Sequence, residues 1–305
     1  SRNPPVNSIN ADHDPIWSAS RKGRSVAMSA RARVRRTNFM LDILLFVICI
    51  LLLTPLILLI ANGFKTPQEM LVWPPTLFPK DPTLQNFHKV FTETPLLQWM
   101  FNSFAFAILS TIAIVSTSAL AGYIIGKFPF RSINIIFVLF LATAIIPFEV
   151  YMIPLYFQVK ALGLLNSIGG LLVGYLVMSF GIFLIRQNVI ASIPDELLEA
   201  ARIDGAGELW IFWYVVLPLL RGPLAALAVL AFFQAWTAFA WPIIVTTRKA
   251  SFTIEVGLAN FQSAYTIDLS LLSAASAAVM VPSVLAFVLL RRNFVEGIAA
   301  SGMKD

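Results

Sequence analysis

Residues 194–218 read PDELLEAARIDGAGELWIFWYVVLP, and their reading decides the fold. Asp195, Glu196, Glu199, Arg202, Asp204 and Glu208 crowd into this stretch, between long apolar runs on either side. Charge of that density cannot lie in hydrocarbon without a heavy desolvation cost, so the stretch is a water-exposed island in a membrane protein. Pro194 suits a helix N-terminus, where its missing N–H costs nothing. Residues 195–202 then read as a short helix with acids in its first turn and Arg202 near its end, which complements the helix dipole. Gly205 and Gly207 break it, and Leu209 to Val216 start a second, mostly apolar helix.

The flanking runs set the class. The 305-residue chain is 58% hydrophobic and 12% charged, with a mean hydropathy of +0.80, far from a soluble globular average. Apolar runs at approximately 40–60, 101–125, 133–153, 168–185, 219–241 and 270–290 each approach the length a helix needs to cross a bilayer. The expected fold is an all-α membrane protein with six transmembrane helices. Arg21, Lys22, Arg24, Arg31, Arg33, Arg35 and Arg36 precede the first run, Lys127 and Arg131 follow the second, and Arg291, Arg292 and Lys304 follow the last. The positive-inside rule therefore makes both termini cytoplasmic and puts the 194–218 island, between spans four and five, on the same side.

Residues 1–37 are polar and basic and read as a disordered cytoplasmic arm, with 38–305 as the six-span domain. A cleavable signal peptide is not expected, since about 39 residues precede an apolar run of full spanning length. The net charge of +6 comes from residues beside the spans and forms no stripe with exposed aromatics, so nucleic acid is not an expected partner; the lipid bilayer is. Cys49 is the one cysteine and excludes a disulfide framework. His13 and His88 are isolated, and no metal site is expected. Gly122 and Gly126, followed by Lys127, do not form a phosphate loop: the spacing is short and Phe128 stands where Ser or Thr is needed. They instead predict close helix packing.

Polar groups inside the runs are candidates for a solute path. Glu149, with Tyr151 nearby, lies between Pro147 and Pro154; it either lines a path or gate, or is an interfacial acid with a structural partner. Gln234, Trp236 and Thr237 offer hydrogen bonds and flat aromatic surface, chemistry that suits sugar-like solutes, while packing is the competing reading. Trp73, Phe78, Trp99 and Trp241 are candidates for an interfacial belt.

The central stretch also resembles a known signature. Glu199-Ala200-Ala201, then Gly205, then Val215-Val216-Leu217-Pro218 is similar to the signature loop of membrane permeases of bacterial ATP-driven importers. The fuller IPDELLEAARIDGA resembles carbohydrate-importer permeases, in particular the smaller permease of the maltose-type system. NSFAFA at 102–107, IPLYFQVKALGLLNS at 153–167, FFQAW with AFAWP at 232–242, and the tail NFVEGIAASGMKD extend the likeness. The resemblance implies a non-catalytic, multi-pass subunit of the bacterial inner membrane, coupled through residues 187–218 to a cytoplasmic ATPase dimer. It further implies a second homologous permease subunit, an extracytoplasmic solute-binding protein, and no cofactor on this chain, ATP and Mg being held by the ATPase. On this likeness Glu199 is the acidic contact, Ala200 and Ala201 allow close seating, Gly205 makes the turn, and Arg202, Asp204, Leu217 and Pro218 complete the coupling set. Thr237 and Ala238 depart from the family's frequent Asn-acid pair, and SGMKD departs from its glycine-rich ending. The alternatives are a permease for glycerophosphodiesters or polyols, and an autonomous secondary transporter; the latter has no use for a charged docking loop.

Overall fold

The computed structural model describes residues 40–129, 131–261 and 268–302. The basic arm lies outside the described residues, as do 262–267 of the last external loop and the final three residues of the tail. The described chain is helical, and it falls into two units divided after Leu58.

The first apolar run forms helix α1, Met40–Gly63, with a mean hydropathy of 3.3 in its most apolar window. Thr54 Oγ1 donates to Ile50 O within it, which satisfies a hydroxyl in a mostly apolar helix. The chain then turns through α2 (Pro67–Met70) and α3 (Gln85–Glu93). The intervening loop is fixed by polar contacts: Glu69 Oε1 accepts from Thr76 Oγ1 and Lys80 N, while Asn86 Nδ2 donates to Gly63 O and Lys65 O.

Helix α4, Leu96–Lys127, is the spine of the second unit. Its 32 residues extend about 48 Å at the helical rise. Two apolar clusters are strung along it. Leu96, Trp99 and Phe106 belong to one, with Trp241, Ile254 and Ala274. Ile114, Ala119 and Tyr123 belong to the other, with Ile185, Val189 and Val216. Trp99 is therefore core, not interfacial belt: it is buried and donates through Nε1 to Lys249 O at 2.7 Å. Trp73 and Phe78 are exposed.

The third and fourth runs are not single straight helices. Helices α5 (Ile133–Ile145) and α6 (Phe148–Ala161) meet at 99°. Pro147 forces its predecessor out of the helical region, and Ile146 is extended at φ −78°, ψ 118°. The fourth run divides into α7 (Ile168–Val173) and α8 (Ser179–Ser192). Ser167 caps α7 by accepting from Gly170 N. Gly174, just after it, lies against the Trp241 indole, where a Cβ would be crowded at 3.1–3.3 Å.

Helix α8 crosses α4 closely through glycines on both helices. A methyl at Gly122 would stand 2.8 Å from Ile185 Cγ2 and 2.9 Å from Arg186 N, and one at Gly181 2.5 Å from Ser118 Oγ. Such proximity brings backbones together over small residues.

After the island come α12 (Arg221–Trp236), α13 (Ala240–Val245) and α14 (Ile254–Asn260). The last helix, α15, runs Leu269–Gly302. Among the described residues, two helices are long and apolar enough to cross a membrane alone, α1 and α4, rising to four if each bent pair is one span. The chain is thus an all-α, multi-span membrane protein.

Candidate functional site

The island forms a helix, a glycine turn and a second helix. Helix α9 spans Asp195–Ile203, with Pro194 at its N-cap and Asp195 and Glu196 in the first turn. Leu198 is its buried residue and packs with Ile193, Ile185 and Val189. The opposite face carries Glu196, Glu199, Ala200 and Ile203, all exposed, at the i, i+3, i+4, i+7 spacing of one helical stripe. Ala200 therefore faces outward, whereas Ala201 is half-buried against the cluster behind. Ile203, 86% exposed, belongs to the outer stripe and escapes sequence reading, because an isoleucine among acids reads as buried by default. Its four-residue spacing from Glu199 is the signal that could have found it.

The turn is a Schellman motif. Gly205 N donates to Arg202 O and Ala206 N to Ala201 O, both at 3.0 Å, with Gly205 at φ +86°. A residue with a Cβ is strained there, which explains the glycine. Gly207 is extended instead, at φ −73°, ψ 156°, and N-caps the next helix.

That helix comprises α10 (Glu208–Ile211), a π-turn at Phe212–Val216, and α11 (Leu217–Leu219). Leu217 N reaches back five residues to Phe212 O. The wider turn lies immediately before Pro218, which has no N–H to donate and whose ring would crowd an ordinary α-turn. The chain then bends by 80° into α12, around Leu220. Leu217 and Pro218 line an apolar groove of about 650 Å³ with Ala119, Trp213 and Arg221. They are thus on a different surface from the α9 stripe. Ile211, Val216 and Leu220 anchor the helix inward.

Two polar ties hold the island to α4. Lys127 Nζ, on a side chain only 6% exposed, lies 2.6 Å from Asp195 Oδ1. Arg202 Nε donates to Glu208 Oε1 at 2.7 Å, and Tyr123 OH donates to Glu208 Oε2 at 3.1 Å. The Arg202 hydrogen bond holds the Glu208 carboxyl below its usual range, against the upward push of partial desolvation. Glu208 raises the Arg202 pKa in turn.

The solute-path candidates separate. Gln234 and Thr237 are exposed near the end of α12, with Thr237 Oγ1 bonded to Phe233 O. Trp236 points inward: it is buried, donates to Ser283 Oγ at 2.9 Å and stacks on Phe232 with centroids 5.9 Å apart. Glu149 and Tyr151 are exposed on α6, Tyr151 edge-on to Phe148. Trp241 is core rather than an interfacial anchor, donating to Gly170 O and Leu171 O. Among the described residues no cluster of His, Cys, Asp or Glu is arranged to hold a metal ion.

Residues 118–298, which include the whole island, match the family described as binding-protein-dependent transport system inner membrane component. The chain belongs to this family. The permease is 34% identical over 253 residues to the arabinooligosaccharides transport system permease protein AraQ of Halalkalibacterium halodurans, covering 82% of this chain and 90% of that one. It is 32% identical over 253 residues to the sulfoquinovosyl glycerol transport system permease protein SmoH of Agrobacterium fabrum, covering 83% and 89%. It is also 32% identical to the sn-glycerol-3-phosphate transport system permease protein UgpE of Yersinia pestis, over 275 residues that cover 88% and 98%. A bacterial ABC transporter that imports the acidic polysaccharide alginate shares the fold of the permease, with a TM-score of 0.71 at 20% identity over 85% of this chain and 97% of that one. The permease is accordingly a multi-pass, non-catalytic transport subunit of the bacterial inner membrane.

Proposed function

We propose that the permease forms half of the translocation pathway of an ATP-driven carbohydrate importer and couples closure of an ATPase dimer to alternating access. The observation that carries this reading is the outer stripe of α9, Glu196, Glu199, Ala200 and Ile203. It combines charge to fix register, a small residue for close approach and an exposed apolar side chain, the ingredients of a protein-docking face. Buried Leu198 supports it from behind and the Gly205 turn ends it. Glu199, Ala200 and Ile203 would meet the ATPase; Ala201, Arg202, Asp204 and Gly205 shape the helix end; Leu217 and Pro218 set the bend into α12.

The pathway in this reading has six crossings, with the broken helices counted as parts of spans and both termini cytoplasmic. A second homologous permease completes it, and an extracytoplasmic binding protein delivers the solute. Gln234, Thr237, Glu149 and Tyr151 line the path, while Trp236 is packed in the core against Phe104 and Phe232. The architecture is that of the maltose-type system, and the permease corresponds to its smaller permease.

The docking reading is tested by co-purification. Glu199→Arg should strip the ATPase from the complex while the second permease is retained; undiminished ATPase recovery would sink the reading. A second solute reading, a phosphorylated glycerol, is favoured by the likeness to the sn-glycerol-3-phosphate permease. Titrating the cognate binding protein with an arabinooligosaccharide and with sn-glycerol 3-phosphate separates the two.

A further inference from the structure

Hydrogen bonds tie the island to one end of α4, a second set ties the helix's other end, and one carboxylate lies at the centre of the first set. Glu208 uses both oxygens: Oε1 accepts from Arg202 Nε on α9, and Oε2 accepts from the hydroxyl of Tyr123 on α4. Tyr123 is buried, with its ring 5.7 Å from Phe212 and edge-on to Phe128 at 5.5 Å, so its hydroxyl has little freedom to follow Glu208 without moving its helix. Four residues on, Lys127 ties Asp195 at the other end of α9. Both ends of α9 are therefore fastened to the last turns of α4.

The opposite end of α4 is fastened just as specifically. Trp99 Nε1 donates to Lys249 O, and Asn102 Nδ2 donates to Ala250 O at 2.8 Å and to Phe252 O at 2.9 Å. Ser103 Oγ accepts from Ile254 N at 2.8 Å. Between the two ends α4 is one uninterrupted helix.

We propose that Glu208 is a positioning residue that makes α4 a rod, through Tyr123, carrying displacement of α9 to the 249–254 segment at the helix's other end. The inference rests on α9 being the ATPase-docking element. An interior packed at close to crystal density passes such a displacement on, and a hydrogen-bonded tie at each end keeps it directional. Arg202 and Lys127 thereby serve the transfer of motion and leave the outer stripe free for the ATPase.

The test uses the assembled complex with its ATPase, in a Cys49→Ser background, with Ala250→Cys as the sole thiol in this chain. Ala250 is exposed and sits on the Asn102 hydrogen bond. The maleimide labelling rate at this position is measured without nucleotide and after trapping with Mg-ATP and vanadate. Trapping should change the rate in the otherwise unaltered complex. In Tyr123→Phe, which removes one oxygen atom, and in Glu208→Gln the change should shrink about three- to tenfold, the scale of losing one hydrogen bond. The double variant should lose no more than either single one, as members of one network do. ATPase recovery should stay unchanged in all of them, and Arg202→Lys should retain part of the response. A full response in Tyr123→Phe, or none in the unaltered complex, overturns the proposal. If Glu208→Gln does not assemble, Tyr123→Phe decides alone. Failure of the docking reading shows separately, as undiminished ATPase recovery in Glu199→Arg.

Discussion

Arg202 and Glu208 meet across the Gly205 turn, Nε to Oε1 at 2.7 Å, and the contact ties the end of α9 to the start of the next helix. Both side chains are substantially exposed, so Coulomb attraction alone is weakened by solvent and salt. Orientation gives the pair its value: the Tyr123 hydroxyl holds the second carboxylate oxygen. The Glu208 carboxyl is held below its ordinary 4.5, first by the Arg202 hydrogen bond. A depressed carboxylate contributes stability that is fully present above the unfolded value and is lost as pH falls through the folded one. The stability difference between the natural chain and Glu208→Gln should thus be constant from neutral pH down to about 4.5 and shrink only below it. Thermal unfolding of the purified permease across pH measures this; a difference that already fades between about pH 7 and 5 contradicts the assignment.

Gly205 sits at φ +86° with open space around its Cα, so the penalty for a side chain there is conformational, not steric. Gly205→Ala should lower stability by about 1–2 kcal/mol, the cost of a left-handed L-residue, and Gly205→Asn by less. Equal losses for the two, read from thermal midpoints, would point to crowding instead.

At the α4–α8 crossing the order is reversed. A methyl at Gly122 meets Arg186 backbone at 2.9 Å, so relief requires the helices to part. Gly122→Ala should cost about 1–3 kcal/mol, the range for overpacking a close contact. Gly222→Ala, which meets nothing within 4 Å, should be neutral or stabilising. Thermal midpoints of the two variants, compared with the natural chain, check the pair.

The island was readable because charge, proline and glycine act locally: α9 ends one residue beyond the expected 202, and the turn falls on Gly205. The close approach of α4 to α8 was readable for the same reason, in Gly122. Hydropathy could not show where runs break. Pro147, visible in the sequence, interrupts the third run, whereas the break after Val173 coincides with Gly174 lying against Trp241, a partner far away in sequence. Tryptophan roles were equally hidden. An indole reads alike in a belt and a core, and only the carbonyls of Lys249, Gly170 and Leu171 make Trp99 and Trp241 buried donors. The two alanines look equivalent in sequence, yet a single residue step, about 100° around the helix, sends Ala200 outward and Ala201 inward.

The central claim is that the outer stripe of α9 meets the ATPase, and thiol cross-linking tests it most directly. Cys49 is the one native cysteine, so a Cys49→Ser chain gives a clean background. Ile203→Cys, at an 86% exposed position of the stripe, and Leu198→Cys, on the buried face, are each treated with a short thiol-to-amine reagent in the intact complex. The account predicts a permease–ATPase adduct from position 203 and none from position 198. No adduct at 203 in a complex that still holds its ATPase, or equal adducts from both positions, would contradict it.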